Sequence, residues 1–96
     1  MNGIIAASRR TNSVPVDIII MSNSSANSTD ACNSLANVTR YISGGDSTPS
    51  NGDVIYTNSN GTDVFNGGNN FYISDDLLVF KVNSSGVISG TSLCGV

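Results

Sequence analysis

The chain contains no His, no Glu, no Gln and no Trp, and only one Lys. Without His there is no imidazole acid–base catalysis, no Ser–His or Cys–His couple and no His metal ligand. Without Glu or Gln, and with one Lys and two Met, a long helix or coiled coil is excluded for want of straight-chain helix formers. Basic residues are scarce: Arg9, Arg10, Arg40 and Lys81 stand against seven Asp, for a net charge of −3. A nucleic-acid partner calls for the opposite sign, so none is expected. Long apolar runs are missing too. The longest candidate, residues 14–21, is too short for a membrane span and is broken by Asp17, so no membrane association is expected. The apolar start at residues 4–7 has no basic stretch before it and does not read as a signal peptide, which points to synthesis in a cytoplasm.

What is present is a β composition set among turn formers. Asn, Ser, Thr and Gly make up 46 of the 96 residues, and nine Val, nine Ile, seven Thr and six aromatics supply strand formers. Only 11% of residues are charged and 39% are hydrophobic. That balance argues against disorder. The length allows one small domain. Ordering a chain costs about 1.5 kcal/mol per residue, so a thin core leaves the free monomer marginal. A disulfide, an oligomer or a partner surface is expected to help.

Along the chain, residues 1–30 read as an extended arm and first strand, and residues 31–96 as a compact β module. In the arm, Val14, Val16, Ile18 and Ile20 alternate onto one face, and Pro15 marks an edge or strand start. Residues 22–29 are a polar connector. Asp30 is placed as a helix cap, with a turn or two of helix over 31–37 and then a strand through Tyr41. Residues 44–52 are loop. Strands follow at 53–57, 71–74, 77–82 and 87–89, with a hairpin around Asp75-Asp76. Asn-Gly pairs at 51–52, 60–61 and 66–67 supply the positive φ of tight turns. The expected fold is all-β: a meander of short strands with Gly- and Asn-rich turns, one short helical turn and an extended N-terminal arm. Tyr56, Phe65, Phe71, Tyr72 and Phe80 are its expected aromatic core, and Gly61, Gly67 and Gly68 its turn residues.

One stretch has a specific likeness. Gly52-Asp53-Val54-Ile55-Tyr56-Thr57, Gly61-Thr62, Phe65-Asn66-Gly67-Gly68-Asn69-Asn70-Phe71-Tyr72 and Gly86-Val87-Ile88 follow one another between Cys32 and Cys94. The pattern resembles a small β module of tailed-bacteriophage structural proteins and of large surface proteins of environmental bacteria. It covers residues 31–95, and the arm lies outside it. The resemblance puts Cys32 and Cys94 at the entry and exit of the module, which implies that they lie close. Free thiols and a disulfide both remain open, because cytoplasmic assembly keeps thiols reduced at first.

Candidate chemistry is sparse. Adjacent Asp75 and Asp76 would face opposite sides of a strand and are better placed to cap a turn. Asp46, Asp53 and Asp63 lie near glycine-rich turns and are weighed as a metal cluster. Asn58-x-Asn60-Gly61-x-Asp63 resembles the start of a calcium loop, but no Glu exists for its twelfth position. No Gly-x-Ser-x-Gly elbow is present. No catalytic residue, metal or cofactor is expected, and five Asn-x-Ser/Thr sequons carry little weight in so Asn-rich a chain. The expected function is that of a non-enzymatic structural protein of a phage virion, in the capsid as a decoration or auxiliary subunit, or in the tail or baseplate. It would assemble with other virion proteins and as a homo-oligomer. The arm, with Arg9, Arg10, Val14, Val16, Ile18 and Ile20, would add a strand to a neighbour. The alternative is a carbohydrate- or protein-binding module of a bacterial surface protein, which exposed tyrosines among Tyr41, Tyr56 and Tyr72 would favour.

Overall fold

The computed structural model describes residues 15–94. Six strands and one short helix are arranged as β1 (Asp17–Met21), α1 (Ser28–Cys32), β2 (Val38–Ile42), β3 (Ile55–Tyr56), β4 (Asn70–Ile73), β5 (Leu78–Val82) and β6 (Ile88–Leu93). The protein is all-β. Two antiparallel three-stranded sheets have the orders β1-β2-β3 and β4-β5-β6.

The sheets are joined at both borders. Val54 bridges Val87 beside β3 and β6, and Met21 bridges Ser74 beside β1 and β4. Strand pairing therefore runs around a ring, as in a small barrel, with isolated bridges at the two seams. The second seam is tied by Ser22, whose N–H donates to Ile73 O at 2.9 Å and whose Oγ accepts from Ile73 N at 3.1 Å. That explains two serines in the interior. Ser22 is bonded across the seam, and Ser74 Oγ bonds Asp76 and takes part in closing the β4–β5 turn.

All six strands send side chains into the ring: Ile19 and Met21 from β1, Ile42 from β2, Ile55 from β3, Tyr72 from β4, Phe80 and Val82 from β5, and Ile88 from β6. β4 and β5 also bury their outer face. There Ile73 and Val79 pack with Ala31 of α1, beside Phe71, Ala36 and the two cysteines. Burial on both faces explains why these two strands are nearly continuous apolar runs rather than alternating ones.

Several expectations change. β1 does not belong to an arm: all five of its residues pair with β2, from Asp17↔Ile42 to Met21↔Val38. Residue 30 is thus no boundary in the fold. The inward face of β1 is the opposite one, with Ile19 and Met21 1% exposed and Ile18 55% exposed. Ile18, Ile19, Ile20 and Met21 are all apolar, so alternation defines two faces without choosing between them; the register on β2 chooses. Val16 and Ile20 are half-buried. Val14, Arg9 and Arg10 lie outside the described residues.

The helix begins earlier than expected and is shorter. Asn27, not Asp30, is its N-cap, with Asn27 Oδ1 accepting from Asp30 N at 2.8 Å. Asn27 Nδ2 in turn donates to the Asp30 carboxylate at 3.3 Å. The two residues form a reciprocal pair related to a capping box. Leu35, expected on the buried helical face, is 74% exposed beyond the helix end. Of the aromatic set, Tyr72 and Phe80 are fully buried, Phe65 and Phe71 pack on the core clusters from part-buried positions, and Tyr56 is half-exposed and outside both.

Gly67 is not a positive-φ glycine. That backbone role falls to Gly68 (φ 64°) and Asn69 (φ 61°). Gly67 is required for another reason: a Cβ there would collide with the Val82 side chain, so the 66–68 turn lies directly against β5.

Candidate functional site

A cleft of about 400 Å³ opens where the segment after β1, strand β2, the 65–68 turn and β4 meet. Arg40 lies on one wall. In β2, Arg40 is two residues from buried Ile42 and pairs across with buried Ile19, so it projects from the inward face of the ring. It therefore lies at the mouth of the ring and not on its outer surface. Barrel mouths are a recurrent position for ligand sites.

Aromatic rings form the floor. Phe65 meets Tyr72 edge-on at 5.6 Å between centroids, and Tyr72 stacks on Phe80 at 6.1 Å. Both arrangements suit the ring quadrupoles. The Arg40 guanidinium lies over Phe65, with its central carbon 5.0 Å from the ring centroid. That is a cation–π distance. Arg40 Nη1 donates to Thr39 O at 3.3 Å, while Nε is buried with no partner. Among the described residues no carboxylate lines the cleft; its other walls are Ser, Asn and Gly.

Tyr72 is anchored within this cleft by its hydroxyl, which donates to Gly67 O at 3.0 Å. Burial raises its pKa above the ordinary 10.0, while the Asn70 amide and the Arg40 charge pull it back down. The neutral phenol is thus the form that suits the fold. Between pH 10 and the higher folded pKa, the folded state keeps a proton that the unfolded state has released. Stability is therefore independent of Tyr72 below pH 10 and falls as pH rises beyond it. Urea midpoints measured from pH 8 to 11 should show this fall, and Tyr72→Phe should lack that contribution. An unchanged slope in the variant would assign the fall to other groups.

Sequence reasoning treats Arg40 only as one of four cations. A signal is present in Val38-x-Arg40-x-Ile42, where a period of two puts a charge on the face of a core isoleucine. Arg9 and Arg10, chosen instead, lie outside the described residues.

The other candidate groups are distributed differently. Cys32 and Cys94 form a disulfide, with Cα atoms 5.6 Å apart, linking the end of α1 to the end of β6. The aspartates serve their own loops: Asp46 accepts from Thr48 N at 3.0 Å and Asp53 from Ser50 N at 3.1 Å. Asp76 bonds Ser74 Oγ and accepts from Thr48 Oγ1 at 3.4 Å. Asn58 Oδ1 accepts from Thr62 N and Asp63 N at 3.1 and 3.0 Å. The segment resembling a calcium loop is therefore a side-chain-capped turn. Among the described residues, no three His, Cys, Asp or Glu side chains converge as a metal site. No helix among them is long and apolar enough to cross a membrane.

No family model, curated protein or solved structure matches this chain.

Proposed function

We propose that the protein is a non-enzymatic structural subunit of a bacteriophage particle, made in the host cytoplasm and held in the capsid or tail by contacts with other virion proteins or with copies of itself. The module resemblance over residues 31–95 motivates the phage assignment. The observation that carries the assembly reading is the display of Leu77. Two hairpins of the protein use the same three-residue loop, a type that calls for a left-handed third residue. In the β5–β6 loop, residues 84–86, the third position is Gly86 at φ 80°; in the β4–β5 loop, residues 75–77, it is Leu77 at φ 66°. A left-handed conformation costs a leucine roughly 1–2 kcal/mol. Little packing offsets this, because Leu77 is 60% exposed. Leu35, 74% exposed, lines the same groove of about 250 Å³. An aliphatic side chain held in a strained turn and turned outward fits a surface covered on assembly. A disulfide also suits a particle that persists outside cells.

Leu77→Gly tests this directly. The variant should gain about 1 kcal/mol in denaturant stability, by relief of strain, yet be incorporated into particles less well than the parent. Mass spectrometry of purified particles from the source reads both presence and copy number. A chain found as a stable monomer with no place in any particle sinks the proposal.

A second reading is supported by the cleft at Arg40: a carbohydrate- or protein-binding module. Tyr41 and Tyr56 are part-buried and neither lines that cleft, whereas Tyr72 is 3% exposed and serves the core.

A further inference from the structure

We infer that the Arg40 cleft binds a carboxylate-bearing sugar. This rests on the second reading, the binding module, and does not require the particle. Arg40 is a cation on the inward face of a strand, flanked by core positions, where charged side chains are uncommon unless paired. Among the described residues its buried Nε has no hydrogen-bond partner and no carboxylate lines the cleft. The only hydrogen bond it makes among the described residues is the long one from Nη1 to Thr39 O. The guanidinium is thus a cation with no carboxylate partner in the cleft among the described residues.

Its geometry is prepared for one. The guanidinium lies over Phe65, which limits its freedom, and its N–H fork is the group that matches a planar carboxylate. The remaining walls decide what carries the carboxylate. Asn23, Ser24 and Asn66 are exposed side chains around the opening, and Asn70 lies beside them. Amides and hydroxyls both donate and accept, which matches the hydroxyls of a sugar ring. The cleft, about 400 Å³, exceeds what a lone carboxylate needs. It falls within the range of small-ligand sites. Cleft walls made only of cations would have pointed to phosphate; here a single Arg stands among neutral polar groups.

The test is a titration of the full chain, followed by amide NMR shifts, with trigalacturonate, its methyl ester and acetate as probes. Trigalacturonate should shift resonances of residues 22–24, 40 and 66–70 and bind at least ten-fold more tightly than the ester and than acetate. Arg40→Met should lose at least ten-fold in affinity, and Arg40→Lys should recover only part of it, since the charge returns without the fork. Retained chemical-shift dispersion shows that each variant is folded. Because Arg40 also packs on Phe65, Asn23→Ala supplies a second variant, on the segment after β1, with a smaller expected loss. Ester bound as tightly as acid overturns the inference while leaving a sugar-binding module standing. Acetate bound as tightly as trigalacturonate overturns it in favour of a bare carboxylate site, the behaviour expected for an acidic side chain of a protein partner. No shift with any of the three overturns the inference and removes the cleft's support for the second reading.

Discussion

Removing the Cys32–Cys94 bond is expected to cost about 4 kcal/mol on the chain-entropy model of a closed loop. The bond joins residues 62 apart in sequence, so without it the unfolded chain regains a large loop freedom. The native state loses something as well. Cys32 and Cys94 pack on the cluster of Ala31, Ile73 and Val79, and they fasten α1 over the outer face of β4 and β5. A helix of five residues has no stability of its own and depends on that attachment. In a domain of this size, 1 kcal/mol is worth about 4–8 °C, so the Cys32→Ser/Cys94→Ser double variant should melt roughly 15–30 °C below the parent. Reduction of the parent should reproduce the loss. A fall of only a few degrees, read by far-ultraviolet circular dichroism, would mean that the native fold holds α1 without the bond.

Phe80→Ala is expected to be comparably severe, at about 4 kcal/mol. Phe80 is fully buried, is among the largest side chains of the ring interior and stacks on Tyr72. Its truncation leaves a cavity that surrounding strands, paired to one another around the ring, have little freedom to fill. The loss passes to the functional surface too, because Tyr72 supports Phe65 and Phe65 lies under Arg40. The variant should therefore show both a lower denaturant midpoint and weaker protection of amides around the cleft. Leu35→Ala is the control, because Leu35 is exposed. Its truncation should change stability by about 0.5 kcal/mol at most. Equal losses from the two substitutions would mean that the interior is not the close-packed ring described.

The legible and the illegible parts of this protein differ in kind. Strands at 38–42, 71–73 and 78–82 are readable because each is an apolar or β-branched run between turn formers. The hairpin loop at Asp75-Asp76 is readable for the same reason. The helix starts several residues before the position that its apolar spacing suggests. Ala31, Leu35 and Val38 imitate one helical face, although Asn27 caps the first turn and Leu35 lies beyond its end. The Asn-Gly rule fails at 66–67, where Gly67 is needed for its closeness to Val82, a contact between distant residues that no local rule contains.

The candidate site is the least legible part. Arg40 carries one slight local mark, the period of two that puts it on the face of Ile42. It becomes a site residue through Ile19 opposite, Phe65 beneath and the 22–24 and 66–70 segments around it, and these converge only in three dimensions.

Composition and local pattern determined that the protein is a small β fold with tight, Gly- and Asn-rich turns, and that histidine chemistry is closed to it. Those properties belong to single residues and short windows, where propensity acts. The tertiary structure decided which face of β1 turns inward, that the two sheets close on each other, and that a lone arginine lies at the mouth they form. Each of those depends on pairing between distant segments, such as Met21 with Ser74 and Val54 with Val87. A strand's alternation is identical whichever partner it finds.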